Sequence, residues 1–382
     1  MKESQYYLEC GYEDIGYHSP ELSSDEIYPA YIKKEVEETV TELEKHTNEV
    51  TFAFMTDIHY NGFHNHEIRF SRTLKAYEEI SKRVPIDKLV LGGDYTNEGT
   101  KEYKIKCLKS LKELLGEIDY YPIHGNHDDG TIWDISYIKS DKSKNHFEPH
   151  ELHALFYNHL EDKGAVFDKD SPNLYYYCDN KENKIRYIFL NSNNIPYIHD
   201  ESGKLKYSGQ WTYTFSQKQL DWLCNKALSF KESGWSIIVF THSVKFSDVY
   251  FGGNKNNDGT IVLKEILKSY KNRCEISYTY GKEELKQCVN TDFSRYENTA
   301  DIIGVFVGDY HWNGIRYYEN IPFVFTGNVV MYCDNVSTPG RYYERYDGDK
   351  SELLFDIVSV NKKERTIHII RVGAGEDRAV NY

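Results

Sequence analysis

The chain has 382 residues, of which 40% are hydrophobic, so it can bury a large core and is not intrinsically disordered. Its 46 basic and 60 acidic residues give a formal charge of −14, which does not favour attraction to nucleic acid or to anionic lipid. No apolar run reaches the roughly 20 residues of a membrane span, and the first residues lack the pattern of a secretory signal. We therefore expect a cytoplasmic protein, with leaderless export or association with a virion as open alternatives.

The first predicted element is an amphipathic helix over residues 30–46. Apolar residues recur there at spacings of four and three, which is the period of one helix face: Ile32, Val36, Val40 and Leu43. A different pattern begins at Val50. We therefore divide the chain into a lead-in with this helix, residues 1–49, and one domain, residues 50–382.

Six short apolar runs follow, and each ends in polar or charged residues, as buried strands do. They are Val50–Met55, Lys88–Leu91, Tyr120–Ile123, Ile185–Leu190, Ile237–Phe240 and Ile302–Val307. Helical patterns separate several of them, over Ile68–Val84, Tyr103–Leu115 and Gln217–Phe230. This alternation predicts an α/β fold built from βαβ units.

Beyond Gly314 the pattern changes to strands with tight connections, which predicts an antiparallel end to the fold. Two polar stretches, at about 129–170 and 246–300, are expected to be insertions in the domain. Both follow the end of a predicted strand, where binding loops usually lie, so we expect them to carry substrate specificity.

The residues that carry chemistry stand directly after five of these strands. Each strand end delivers aspartate, asparagine or histidine, in the order Asp57 and His59; Asp94; Asn126, His127 and Asp128; His242; Asp309 and His311. In open α/β sheets this edge is the usual place for a ligand. Carboxylate, carboxamide and imidazole groups are the ligands that suit Mn, Fe and Zn, so the five strand ends together predict a metal site.

These five blocks resemble those of the calcineurin-like metallophosphoesterases, whose pattern is D-x-H, G-D, G-N-H-[DE], H and G-H-x-H in that order. The resemblance implies a four-layer αββα sandwich of two mixed β-sheets flanked by helices, with two divalent metal ions. Carried over residue by residue, it implies the following set: Asp57, His59 and His311 on the first metal, Asn126 and His242 on the second, Asp94 bridging, His127 as the catalytic histidine and Asp128 as its orienting partner.

The chain departs from the family pattern at Asp309, which stands where the first histidine of G-H-x-H is expected. An aspartate can still bind the second metal, as a harder and anionic ligand. It would favour Mn, Fe or Mg over Zn, and among these we expect Mn or Fe. The alternative is that the second metal site is loose or empty.

The resulting hypothesis is a dinuclear metal-dependent phosphohydrolase, more specifically a phosphodiesterase. A metal-bound hydroxide would attack phosphorus in line, and His127 would assist the leaving group. Two alternatives remain open at this stage. One is a phosphomonoesterase for nucleotides or sugar phosphates, and the other is a binding or structural module with a weakened site, in an oligomer or larger assembly.

Overall fold

The computed structural model describes residues 23–46, 49–61, 64–97, 99–131, 146–169, 173–201, 203–246, 259–329 and 343–382. Most of the expected lead-in before the first helix, and parts of both expected insertions, lie outside the described residues. The division into residues 1–49 and 50–382 stays a prediction.

The described residues form fifteen strands. In chain order they are β1 Val50–Met55, β2 Lys88–Leu91, β3 Tyr120–Pro122, β4 Val166–Phe167, β5 Tyr176–Asn180, β6 Ile185–Leu190, β7 Ser236–Thr241, β8 Glu275–Tyr280, β9 Gln287–Asp292, β10 Asp301–Val307, β11 Gly314–Tyr318, β12 Ile321–Phe325, β13 Leu354–Asn361, β14 Thr366–Gly373 and β15 Arg378–Asn381.

The helices of the described residues are α1 Ser24–Ile27, α2 Ala30–Leu43, α3 His64–Ser81, α4 Lys101–Leu115, α5 Pro149–Leu152, α6 Gln217–Trp222 and α7 Ile261–Lys271. Short 3-10 turns lie at Glu44–His46, Asn158–Leu160, Glu283–Leu285, Phe293–Arg295 and Lys350–Glu352, and π-turns at His153–Tyr157 and Leu223–Ala227. The turn at Glu44–His46 continues α2, so the predicted helix over 30–46 is confirmed.

Two large mixed sheets make up the fold. Sheet I has the order β15-β14-β13-β1-β2-β3, and its parallel strands β1, β2 and β3 adjoin an antiparallel half. Sheet II has the order β11-β12-β10-β7-β6-β5-β4, with β6, β7, β10 and β12 parallel. Strands β8 and β9 form a separate hairpin.

The two sheets pack face to face through aromatic side chains. The ring of Phe52 on β1 meets the rings of Phe240 on β7 and Phe306 on β10 edge to face, with centroids 5.3 and 5.0 Å apart. Such contacts add to the stabilisation from burial of apolar area. Because side chains alternate along a strand, Ile237 and Val239 on β7 point away from sheet I. They pack instead in the apolar cluster that contains α6 and α7.

Helices cover the outer faces. The apolar stripe of α2 is buried in the cluster formed on sheet I. Leu220 of α6 and Leu263 of α7 are buried on the outer side of sheet II. The order of layers is helix, sheet, sheet, helix, which confirms the expected four-layer architecture.

Two of the differences between the sequence-based predictions and the structure lie in the second half of the chain. Strand β12 pairs in parallel with β10, although it also forms an antiparallel hairpin with β11 through Glu319 and Asn320, both with positive φ as a tight two-residue turn requires. The stretch 246–300 also contains α7 and the hairpin of β8 and β9. The hairpin escaped prediction because its residues are largely polar and only partly buried.

Candidate metal centre

The five blocks meet at the carboxyl edge of the two sheets, and both sheets contribute. Sheet I supplies the residues after β1, β2 and β3, and sheet II supplies those after β7 and β10. Backbone hydrogen bonds join the first block to the second. The amide of Asp57 donates to the carbonyl of Gly93, and the amide of His59 donates to the carbonyl of Asp94. The loops therefore support each other independently of any ligand.

Five of the predicted metal ligands have a backbone conformation that is uncommon for residues with a side chain. Their φ angles are positive: Asp57 54°, His59 45°, Asp94 51°, Asp309 63° and His311 47°. A non-glycine residue in this region costs about 1 kcal/mol or more, and such residues concentrate at functional sites. The strain is retained because it turns these side chains towards one point.

Glycines beside the ligands permit the close approach of the loops. A Cβ atom on Gly125 would lie 2.1 Å from the amide nitrogen of Asp94, and one on Gly308 would lie 2.0 Å from Oγ1 of Thr56. Any side chain at either position would push a block of sheet I away from its neighbour.

The first group of converging atoms comes from Asp57, His59 and His311. Nε2 of His311 lies 3.1 Å from Nε2 of His59 and 3.2 Å from Oδ1 of Asp57. Asp57 is fully buried, and its Oδ1 has no hydrogen-bond partner among the described residues. Its other oxygen is held by the hydroxyl of Thr56 at 2.6 Å and by the amide of Asp309 at 3.1 Å.

The second group comes from Asn126, His242, Asp94 and Asp309. The amide oxygen of Asn126 lies 3.0 Å from Nε2 of His242, 3.3 Å from Oδ2 of Asp94 and 3.2 Å from Oδ1 of Asp309. All of these are acceptor atoms when the imidazole has its proton on Nδ1. Without a cation, the amide would be better turned by 180°, so that its nitrogen donates to them.

Asp94 joins the two groups. Its Oδ2 lies 3.3 Å from Nε2 of His242 and 3.8 Å from Nε2 of His59. Its Oδ1 accepts a 2.8 Å hydrogen bond from the backbone amide of His127. One carboxylate oxygen thus faces both groups, which is the position of a bridging ligand.

The donor set fits divalent metal ions. Ligand atoms at about 2.1 Å from one ion in octahedral geometry are about 3 Å apart, which is close to the separations in both groups. The orphaned oxygen of Asp57 and the converging acceptors around Asn126 would both be satisfied by cations. Imidazole, carboxylate and carboxamide together suit Mn, Fe and Zn.

The electrostatics of the centre favour positive charge at its middle. Burial by itself would lower the pKa of His242, but Asp94, Asp57 and Asp309 outweigh it and raise the pKa to about 10. Burial lowers the pKa of His59 to about 3, although Asp94 acts in the opposite direction. The carboxylates around His242 therefore favour positive charge at the second group.

Neighbouring groups fix the orientation of the ligands. Nδ1 of His242 donates to the carbonyl of Gly92 at 2.7 Å, which directs its Nε2 lone pair to the centre. Asp309 accepts from the hydroxyls of Tyr213 at 3.0 Å and Ser243 at 2.6 Å. Sequence reasoning missed Tyr213, which no motif marks. Ser243 stands beside a predicted ligand, and that adjacency was the available signal.

His127 lies at the mouth of the centre. Its ring packs edge to face on that of His59, with centroids 5.0 Å apart, and its Nε2 lies 3.8 Å from Oδ2 of Asp94. The side chain is 16% exposed, whereas those of His59 and His242 are buried. An imidazole at this place can reach a bound substrate from the solvent side.

Asp128 contacts the backbone of the loops. Its carboxylate accepts hydrogen bonds from the amides of Gly125, Asp94 and Thr96 at 2.8, 3.0 and 3.2 Å. Burial, with a smaller contribution from Asp94, raises the pKa of Asp128 to about 8. These bonds support the loops that carry Asp94 and Asn126, and the role of Asp128 as the orienting partner of His127 stays a prediction.

A buried lysine on α4 supports the same loops. The ammonium group of Lys104 on α4 donates to the carbonyl oxygens of Asn97 and His127 and, at 3.3 Å, to the hydroxyl of Thr96. Sequence reasoning missed this residue as well. The signal was present, because Lys104 lies four residues before Leu108, on the apolar stripe of its helix.

The chain belongs to the calcineurin-like phosphoesterase family, whose model matches residues 50–313, well over half of the sequence. It is therefore a hydrolase of the metal-dependent class that acts on phosphoester bonds. This confirms the resemblance carried by the five blocks. No curated protein matches the chain.

Several solved structures are similar in fold at low identity. GAP50, the anchor in the inner membrane complex of Plasmodium, is 13% identical, with a TM-score of 0.42, 85% of this chain covered and 84% of that one. The phosphopantetheinyl hydrolase of Mycobacterium tuberculosis is 13% identical, with a TM-score of 0.34, and the match covers 74% of this chain and 91% of that one. A protein serine/threonine phosphatase of Saccharomyces cerevisiae is 10% identical, with a TM-score of 0.30, and the match covers 92% of this chain and 89% of that one. At this identity the likenesses carry no information about substrate.

Within the part of the chain that the structure describes, no helix is both long enough and apolar enough to cross a membrane.

Proposed function

We propose that the chain is a dinuclear metal-dependent phosphodiesterase. The observation that carries this proposal is the convergence of acceptor atoms around the amide oxygen of Asn126, next to the group of Asp57, His59 and His311. Two cations bound there would offset the charge of a phosphoester and supply a hydroxide near neutral pH.

The proposed ligands divide as the two groups do. Asp57, His59 and His311 would hold one ion, Asn126, His242 and Asp309 would hold the other, and Asp94 would be shared by both. The bonds from Tyr213 and Ser243 to Asp309 leave one carboxylate oxygen of Asp309 directed at Asn126, which supports it as a ligand. A carboxylate at this position favours Mn or Fe.

His127 is the proposed proton donor to the leaving group. The departing alkoxide needs a proton on the side of phosphorus opposite to the attack, and a partly exposed imidazole at the mouth can supply it. Its backbone is held by Asp94 from one side and by Lys104 from the other, so its position is set by two buried groups.

The preference for a diester is supported by the charge of the loops. The five blocks contain no arginine or lysine, whereas a monoester dianion gains most from such cations. A diester carries a single negative charge and needs less compensation beyond that of the metal ions.

The test combines metal content with turnover. Wild-type protein, Asp94→Asn and the control Asp119→Asn are loaded with Mn²⁺, and bound metal is counted by elemental analysis. Asp119 is an exposed aspartate at the other end of β3, where it pairs with Lys163. Each protein is then given bis(p-nitrophenyl) phosphate and p-nitrophenyl phosphate.

We expect about two metal ions in wild type and in the control, a loss of metal in Asp94→Asn, and a higher kcat/KM for the diester. Higher kcat/KM for the monoester would replace the proposal by a phosphomonoesterase. Absence of both metal and turnover in wild type would favour a binding module, whose assembly state light scattering would then measure.

A further inference from the structure

A second cluster of metal-ligating residues lies at the opposite end of sheet I from the candidate centre. It consists of His46, which ends the turn after α2, Glu49, which immediately precedes β1, and His368 on β14. Strand β1 runs from this cluster to Asp57, so the two sites are separated by its full length.

The strand register places these residues on one face of the sheet. Glu49 and Thr51 are two residues apart on an extended segment and share a side. Across the strands, Thr51 lies opposite Ser359, and Ser359 lies opposite His368. The hydroxyls of Thr51 and Ser359 are joined by a 2.8 Å hydrogen bond. Phe52 faces sheet II, so this set faces the layer of α2, where His46 lies.

The potential ligand atoms are close together. Nδ1 of His46 lies 3.3 Å from Oε1 of Glu49, and Nε2 of His368 lies 3.9 Å from the same oxygen. All three atoms are within 4.8 Å of one another, and the two imidazole centroids are 4.1 Å apart. Ligand atoms around a tetrahedral zinc ion are about 3.3 Å apart, so only a small movement of His368 is required.

The carboxylate of Glu49 is more deeply buried than the carboxylate of an exposed ion pair. Its side chain is only 7% exposed. Oε1 accepts from the side-chain amide of Asn361 at 3.1 Å, but no donor in the described part of the chain faces Oε2. A buried carboxylate oxygen without a donor is costly, and a cation bound between the three side chains would offset that cost.

We propose that His46, Glu49 and His368 bind a zinc ion. Two imidazoles and one carboxylate are a ligand set that zinc prefers, and three protein ligands leave its fourth position for water. The side chain of His368 is 28% exposed, so solvent reaches the site. The ion links the end of α2 to β14 and the start of β1, and thereby fixes the outer helix on sheet I.

The test counts zinc in metal-depleted, full-length protein after addition of zinc chloride and removal of unbound metal. Wild type is compared with His46→Ala, His368→Ala and the control His150→Ala, an exposed histidine on α5. The same four proteins are also prepared in an Asp94→Asn background. That background removes the contribution of the candidate centre, so the result does not depend on the proposed function.

We expect His46→Ala and His368→Ala to bind one zinc fewer than wild type in both backgrounds, while His150→Ala binds the same number. Phosphoester turnover should be unchanged by all three. Equal zinc content in the four proteins would overturn the proposal and leave an ion pair of His46 with Glu49. Should an alanine variant fail to fold by circular dichroism, Glu49→Gln, which keeps the shape of the side chain, must show the same loss.

Discussion

The hydroxyl of Tyr213 donates a 3.0 Å hydrogen bond to Oδ1 of Asp309, the residue that replaces a histidine of the family pattern. Ser243 donates to the other oxygen of the same carboxylate. The replacement is therefore accompanied by two hydroxyls that fit a carboxylate, which orient it as supporting residues orient metal ligands elsewhere.

Removal of this hydroxyl should weaken the candidate centre. In Tyr213→Phe we expect metal affinity to fall about 10- to 100-fold, because Asp309 loses one of its two orienting bonds. The measurement is a Mn²⁺ titration of metal-depleted protein. The matched control is Tyr31→Phe on α2, which loses a hydroxyl-to-carboxylate bond to Glu352 far from the candidate centre. Equal affinity in the two variants would contradict the proposed role of Tyr213 in orienting Asp309 for metal binding.

His127→Ala should retain metal and lose turnover. General acid catalysis is worth about 10²- to 10⁴-fold, and the loss should be larger for an alkyl diester than for a nitrophenyl diester, whose leaving group needs no proton. His150→Ala serves as control. A loss of the same size with both substrates would contradict proton donation by His127.

Lys104→Met should lower both the stability of the fold and the rate of catalysis. The buried ammonium group bonds to the carbonyls of Asn97 and His127, and methionine of similar length leaves both without a donor. We expect a destabilisation of about 2–4 kcal/mol in chemical denaturation, together with a lower kcat. Lys106→Met, on the exposed face of the same helix, should change neither. An unchanged kcat in folded Lys104→Met would limit the residue to a structural role.

A buried carboxylate in sheet I should make the stability depend on pH. Burial by itself would raise the pKa of Asp356, but Arg371 and Arg378 outweigh it and lower the pKa to about 2. Because the folded value lies below the unfolded one of about 4, the stabilisation is complete above pH 4 and is lost as the pH falls to 2. The stabilisation of the folded state that is lost in this pH range is about 2 kcal/mol.

The check is denaturant unfolding of wild type and Asp356→Asn at pH 6, 4 and 3. The variant should be less stable by about 3–5 kcal/mol at pH 6, since it leaves two arginines with a reduced buried counter-charge. The difference should narrow towards pH 3. A difference that does not change with pH would contradict the assignment.

Much of the fold could be predicted because the central strands are short and almost wholly apolar. Strands β1, β2 and β6 have the predicted bounds, and β3, β7 and β10 differ by one residue at an end or at both. The hairpin of β8 and β9 and the strands β4, β5 and β15 were missed, since most of their residues are exposed or only partly buried.

The candidate site was predictable in its residue types but not in its supports. Strand ends marked Asp57 and His242 because polar residues after apolar runs are conspicuous in sequence. The bond from Tyr213 to Asp309 joins residues 96 positions apart, and no periodicity encodes such a contact. Lys104 could have been noticed from its place on the apolar stripe of its helix, but its bonds to Asn97 and His127 are not encoded in that pattern.

The candidate centre draws on both sheets, and this has a consequence for how the protein is made. His59 and His311 approach to 3.1 Å although they are 252 residues apart in the chain. On the ribosome, β1, β2 and β3 of sheet I emerge first, His242 follows after β7, and Asp309 and His311 are added only after β10. A nascent chain can therefore complete the candidate centre only after His311 has emerged, whereas the residues from sheet I are already present when the loop after β3 has been made.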